Sequence, residues 1–325
     1  MVSEARLVAP FDDGFVVGGT GLELDPRHCA EIGVATDPLG EAHAARVVAT
    51  PTTVRILQRR RRRSSWLPAP PHRPFTIGAV DVEMIPSGAV PGGAQVLLRH
   101  HGLSILYARR VLPDRLWPIE PLEVPRADVV LLDAPGGFPV EACSRRADAL
   151  AGLRSWVERA LGRNAIPVVL AEPIIAAPAA VLALGSLGCD IRVHRTIYEV
   201  LQAFAPLGME VPRVFQLRGE ARLGQVVVLP YPLGPAGGFE RIPGRETALL
   251  HDGSVPVGPG AGIDESFLLA FAAGVPELVA HVQRTGASEV HVSPGTPTSV
   301  GDILRDLGVP IVVREGPPRQ VTFAS

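Results

Sequence analysis

The stretch GVATDPLGEAHAARVVATPTT, residues Gly33–Thr53, holds two apolar lead-ins separated by a short polar loop and then runs into a helix start. A loop leaving the end of a buried strand is where α/β folds place their chemistry. This one offers only Asp37, Glu41 and His43 as chemically capable side chains. On one side of it, LELD, IGVAT and RVVAT read as short β-rich runs. On the other, FTIG, VDVEMIP, AQVLLRHHG, LSILYARR and ADVVLLDAPGG continue the pattern, each bounded by Gly, Pro or Asp. The one clear helix of this region is TPTTVRILQRRRRR, with Thr50 as its N-cap and Val54 and Leu57 on one face. The arginine run leads into an exposed loop.

From about Ala142 the pattern changes. ADALAGLRSWVERAL carries Leu150, Leu153, Val157 and Leu161 at helical spacing, and IPVVLAEP, AAVLALGSLG, DIRVH, IYEVLQAFAPLG and VFQL follow in alternation. Such alternation implies parallel strands joined by crossover helices. After ETALLHDGS the chain ends on a helix, strand, helix, strand series in VPELVAHVQRTGASEVHVSPGTPTSVGDILRDLGVPIVVRE. A β-rich first part, an α/β block and an α/β return describe a host domain interrupted by an insert.

The whole chain has 325 residues, of which 46% are hydrophobic, 20% charged and 5% aromatic, enough for a sizeable core built on Val, Leu, Ile and Ala. The formal net charge of −2 provides no global attraction to nucleic acid or anionic lipid. All basic side chains are arginine, none lysine. Cys29, Cys143 and Cys189 match no metal or redox spacing and read as reduced thiols. With neither a secretory leader pattern nor a long uncharged apolar run, the expectation is a cytoplasmic protein without a membrane span.

Read in order, LELDP, RVVATPTT, VDVEMIPSGAVPGGAQVLL, EVPRADVVLLDAPGGFPV, DIRVHRTIYEVLQ and VPELVAHVQRTGASEVHVSPGTP resemble the metallo-β-lactamase fold nucleases with a β-CASP insert. Within these, the resemblance is to the bacterial ligase-associated DNA exonucleases, which are similar to mRNA 3′-end-processing exonucleases. It implies an α/β protein with an αββα sandwich. The host would span 1–140 and 246–325, and an inserted β-CASP-like α/β domain 141–245.

The family builds a two-metal site from imidazoles and carboxylates converging on ions about 3.5–4 Å apart. Its first metal loop reads HxHxDH. The resemblance puts Asp37 and Leu39 at the first two histidines, Glu41 at the acid and Ala42 at the third histidine. Ala89 stands at the histidine of GHxxGSAQ, Arg110 at the bridging acid, Ala272 at the histidine of SDHAD and Pro294 at the histidine of THG. Asp133 and His194 match the family's acid after the core strand and its insert-domain histidine. Uncompensated buried carboxylates are costly, so Ala, Leu and a fixed positive charge are suitable replacements once the cations are gone. The expectation is a chain without metal or other cofactor.

Two readings of the cleft follow: Arg110, Asp133 and His194 bind a phosphate or peptide group, or Arg110 and Asp133 form an ion pair closing an obsolete site. The run Arg59, Arg60, Arg61, Arg62, Arg63 with Trp66, together with Arg110, is the candidate nucleic-acid contact, since each arginine on a phosphate releases counterions and Trp stacks on bases. Solvated loop faces have the same composition. The histidines His100, His101, His251 and His291 carry structural readings.

The function implied is a catalytically inactive exonuclease relative, binding nucleic acid or protein as a scaffolding subunit in a DNA-repair setting. Its partners would be DNA, a ligase, a helicase or an active nuclease homologue. The rival is a hydrolase with a non-standard site around Asp37, Glu41, Asp133 and His194. A small-ligand sensor is the third reading.

Overall fold

The computed structural model describes residues 8–11, 14–27, 29–40, 42–60, 64–118, 120–134, 146–232, 239–253, 262–293, 296 and 298–313. Two compact units divide the chain. One comprises Met1–Arg115, Glu120–Gly137 and Ala272–Ser325, the other Leu116–Ile119 and Phe138–Phe271.

The first unit holds two sheets. One runs in the order β1 (Val8–Phe11), β2 (Gly14–Val17), β3 (Leu22–Leu24), β4 (Ala30–Val34), β5 (Ala44–Ala49), β6 (Ser65–Pro68). It is antiparallel up to β3 and parallel from there. The second contains β7 (Phe75–Ile77), β8 (Val80–Pro86), β9 (Ala94–His100), β10 (Leu103–Ala108), β11 (Val129–Leu132), β18 (Glu289–Val292) and β19 (Ile311–Val313) in the order β19-β18-β11-β10-β9-β8-β7. Meander strands at one end and parallel strands at the other match the hairpin-like early runs and the helix-linked late ones.

Strand alternation explains the layering. Val96, Leu98, Ile105, Tyr107, Val129 and Leu131 point toward the first sheet and share a core with its Val17, Leu22, Leu24, Val34 and Val48. The intervening Leu97, Leu106, Ala108, Val130 and Leu132 point outward, where α5 (Val275–Thr285) and α6 (Thr298–Asp306) cover them with Leu278, Val282, Val300 and Leu304. The outer face of the first sheet is closed by α1 (Pro51–Arg60) through Val54 and Leu57 against Ala35, Val47 and Ala49. Being buried on both faces, the central strands read as continuous apolar runs rather than as clean alternations.

The second unit is one parallel sheet in the order β14 (Val214–Gln216), β13 (Asp190–Val193), β15 (Gln225–Pro230), β12 (Ile166–Ala171), β16 (Arg245–His251), β17 (Glu265–Leu268). Its helices are α2 (Arg146–Gly162), α3 (Ala176–Leu184) and α4 (Arg195–Phe204). Strand β16, predicted to begin the return to the host at 246, instead pairs along its length with β12 and belongs to this sheet. Its run ETALLH is buried over Thr247–Leu250, as a central parallel strand requires, and the chain rejoins the first unit at Ala272. The protein is therefore mixed α/β with three sheets among the described residues. No helix among them is long and apolar enough to cross a membrane.

Candidate functional site: a carboxylate and guanidinium cluster

In the first unit, five strands deliver polar residues just beyond their C-terminal ends: Asp25 after β3, Asp37 after β4, Arg109 and Arg110 after β10, Asp133 after β11 and Ser293 after β18. Tyr107, on the inward face of β10, lies beneath them, its ring edge-on to Phe15 with centroids 5.5 Å apart.

Asp25 adopts a left-handed backbone conformation (φ 46°), and its amide donates to the carbonyl of Val34 at 2.8 Å. Asp tolerates this region better than most residues. Its carboxylate takes the Thr36 amide at 2.9 Å and also the Thr36 hydroxyl. The Tyr107 hydroxyl is 3.2 Å from Asp25 Oδ2 and 3.2 Å from Asp133 Oδ2. Asp133 also accepts from Ser293 Oγ at 2.6 Å, and Thr296 Oγ1 accepts from the Ala134 amide at 2.9 Å, tying the ends of β11 and β18 together. Asp37 Oδ1 accepts from the amides of Leu39 and Gly40, each at 2.8 Å, which folds the polar loop onto its own carboxylate.

The guanidinium groups divide among these acids. Arg110 Nε donates to Asp37 Oδ2 at 3.2 Å. Arg109 places Nη1 3.8 Å from Asp25 Oδ2 and Nε 3.4 Å from Asp133 Oδ2. The latter approach lacks hydrogen-bond geometry, so the Nε–H of Arg109 is buried without an acceptor although its side chain is only 10% exposed. Gly40 permits this crowding: a Cβ there would lie 3.3 Å from Arg109 Nη1.

Electrostatics follow from the layout. Burial pushes the Asp25 carboxyl above the ordinary 3.8, with Asp37 adding to the shift and Arg109 and Thr36 opposing it. Burial acts on Asp37 in the same direction, but Arg110 and Arg109 together outweigh it and hold that carboxyl below 3.8. Tyr107 is driven well above 10.0 by burial and by the two aspartates, so its phenol stays protonated.

The ion pair foreseen between Arg110 and Asp133 is not formed. Arg110 pairs with Asp37, and Arg109 takes the place beside Asp133. Alternation is the reason: Arg109 continues the inward phase of Ile105 and Tyr107, and Arg110 falls in the opposite phase. Leu39 is half-buried, Ala42 packs in the core under α1, Ala89 lies in the fully buried segment Ser87–Gln95, and Ala272 is half-buried. Glu41 and Pro294 lie outside the described residues. His194, in the second unit, is an exposed N-cap of α4 whose Nδ1 accepts from the Thr196 amide at 3.2 Å.

Of the arginine run, Arg59 is exposed on α1, Arg60 is the last residue of that helix, and Arg61, Arg62 and Arg63 lie outside the described residues. Trp66 is half-buried against the core under α1, so its ring serves packing. His100 Nδ1 faces the carbonyl of Ala79 at 2.8 Å, and its ring meets His101 edge-on at 4.1 Å. His251 Nδ1 accepts from the Gly253 amide at 3.2 Å, and His291 pairs with Glu289.

Asp25, Thr36, Ser293, Tyr107 and Arg109 are the site residues missed by sequence reasoning. The signal for the last two was available, because the inward phase of LSILYAR ends on a tyrosine and an arginine in an otherwise apolar series.

A dinuclear metal centre does not fit these residues. The groups that meet Asp25, Asp37 and Asp133 are hydroxyls, backbone amides and guanidinium groups rather than imidazoles. Among the described residues no three His, Cys, Asp or Glu side chains are arranged to hold an ion.

No family model matches the chain. Over 234 residues it is 24% identical to a probable DNA ligase of Opitutus terrae, a match covering 70% of this chain but 23% of the ligase, so the chain spans less than a quarter of that relative's length. Among solved structures it is similar to a protein of unknown function from Enterococcus faecalis V583, with a TM-score of 0.56 and 11% identity over 80% of this chain and 74% of the other. That likeness is one of fold.

Proposed function

We propose that the protein is a metal-independent relative of the metallo-β-lactamase/β-CASP nucleases that acts in DNA metabolism by binding rather than by hydrolysis. In this reading the helix-flanked sheet pair of the first unit is the αββα host, and the parallel sheet of the second is the insert. The observation that carries it is the cluster just described: Arg109 and Arg110 stand among Asp25, Asp37 and Asp133, where a nuclease of this kind would need cations able to activate water. A guanidinium neutralises carboxylates but offers no open coordination position.

The same charge count argues against the cluster as a phosphate pocket. Three carboxylates face two guanidinium groups, which leaves no surplus positive charge for an anion. Contact with DNA or a protein partner then belongs to surfaces outside the cluster. The DNA setting is supported by the ligase relative, in which a segment like this chain is part of the same polypeptide.

Two measurements test the reading. Incubation with linear single- and double-stranded DNA in Mg²⁺, Mn²⁺ or Zn²⁺ is expected to release no nucleotides, and release abolished by Asp133→Asn would overturn it. Titration against labelled DNA and against an ATP-dependent DNA ligase of the native host is expected to show a complex with at least one of them; binding to neither removes the proposed role.

A further inference from the structure

We infer that the outer face of α1, which presents Arg55 and Arg59, is a contact surface for the phosphodiester backbone of DNA. This rests on the binding reading above and names the part of the first unit that makes the contact.

Charge is sorted along the chain. No acidic residue occurs between Glu41 and Asp81, whereas Arg46, Arg55, the run from Arg59 to Arg63 and Arg73 all fall there. Eight of the 31 basic side chains and none of the 33 acidic ones therefore lie in one stretch of a protein whose formal net charge is −2. Such blocks of one sign are a footprint of contact with a polyanion.

The fold sets two of these arginines on one face. Helix α1 connects the parallel strands β5 and β6 and buries Val54, Ile56 and Leu57, which leaves Arg55, Gln58 and Arg59 exposed on its outer side. Spacings of three and four residues align them in a stripe. The helix starts at the strand ends that bear Asp25 and Asp37, because β3, β4 and β5 are parallel, and it runs away from them. Over the eight steps from Pro51 to Arg59 it rises about 12 Å. The stripe is thus a surface apart from the carboxylate cluster.

These arginines also break a pattern kept elsewhere. In α2, α4 and α6 an exposed arginine pairs with an acid three or four residues away: Arg154 with Glu158 at 3.4 Å, Arg195 with Glu199 at 2.8 Å and Arg305 with Asp302 at 2.9 Å. In α1 the residue four positions after Arg55 is Arg59, and Pro51, Thr52 and Gln58 at the other such spacings carry no charge. Like charges at that spacing weaken a helix. The helix dipole favours cations in the last turn, which accounts for Arg59 but not for Arg55 at mid-helix. A ligand of uniform negative charge accounts for both, since each guanidinium on a phosphate releases condensed counterions and relieves the repulsion. Protein surfaces intersperse the two signs, so the regular phosphate backbone fits an acid-free face better than an acidic protein does.

The test follows the anisotropy of a labelled DNA duplex of arbitrary sequence, titrated with protein over a range of NaCl concentrations. Wild type is expected to bind with an affinity that falls as salt rises. The double variant Arg55→Gln/Arg59→Gln is expected to bind about tenfold more weakly or worse, and its slope of log affinity against log salt to be shallower by about 2. Arg154→Gln, on an exposed helix face of the second unit, is expected to match wild type. Arg55→Glu puts an acid four residues ahead of Arg59, the favourable order, so its thermal midpoint is expected to hold or rise while its affinity falls. A purely structural role for Arg55 would move the two together.

A double variant with wild-type affinity and slope overturns the inference. So does equal weakening by Arg154→Gln, or poly-glutamate bound more tightly than the duplex, which would assign the face to an acidic protein. None of these outcomes touches the metal-independent reading. Nucleotide release from the bound duplex would instead defeat that reading while leaving α1 as the DNA contact.

Discussion

Arg109 and Arg110 are sequence neighbours with different partners, and their separate roles lead to distinct predictions. Arg110 is what holds the Asp37 carboxyl below 3.8, with help from Arg109. A depressed carboxyl contributes stability that is fully present above its unfolded value and is lost as pH falls through the folded one. Arg110→Met is therefore expected to be destabilised by about 3 kcal/mol at neutral pH, the scale for breaking one partner from a buried pair. The deficit shrinks as acid protonates Asp37 in the variant, and urea midpoints at several pH values check this. His281 on α5 gives the opposite case of a base. It is buried with both ring nitrogens lacking partners, and burial, with Arg284 adding to it, lowers its pKa to about 4. The unfolded chain then binds the extra proton between pH 6.5 and about 4, so stability falls as pH drops through that window. His281→Leu removes this dependence and is expected to raise stability at mildly acidic pH by on the order of 2 kcal/mol. A variant that tracks the wild-type acid profile would contradict the assignment.

At the scale of elements, the start of α1 is fastened to the segment Ser87–Gln95. Thr53 Oγ1 donates to the Gly92 carbonyl at 3.0 Å, Thr50 Oγ1 donates to the same oxygen, and the Gly92 amide donates to Glu120 at 2.6 Å. Thr50 is also the N-cap, accepting from the Thr53 amide at 3.3 Å ahead of Pro51 at the first helical position. Gly92 is required twice over: its φ is +84°, and a Cβ would come 2.6 Å from the Thr52 Cβ. Gly92→Ala is expected to cost about 2–4 kcal/mol from backbone strain and overpacking, measured as a shift in urea midpoint without loss of helix signal. The helix and its cap were legible in the sequence because Thr-Pro at a helix start is a local signal. Its attachment to a loop some forty residues on was not, since a glycine-rich segment gives no sign of which hydroxyl will take its carbonyl.

The molecule as a whole is mixed α/β, with a helix-covered pair of sheets in one unit and a six-stranded parallel sheet in the other. Its polar cluster holds the two sheets of the first unit together at their C-terminal strand ends by internal charge. Chelator is therefore expected to leave the wild-type denaturation midpoint unchanged, and a fall on adding EDTA would reveal a structural ion. The amino-acid order by itself determined most of the strands and helices and the division into a β-rich and an alternating part, though not β6, whose residues Ser65–Pro68 read as an exposed loop but pair with β5. Those are properties of local periodicity and residue type. The tertiary structure alone decided that Asp25 joins the cluster, that Asp133 faces Arg109, and that β16 extends the second unit's sheet. Each depends on which strand lies beside which and which face of a strand meets the opposing sheet, and long-range packing sets both.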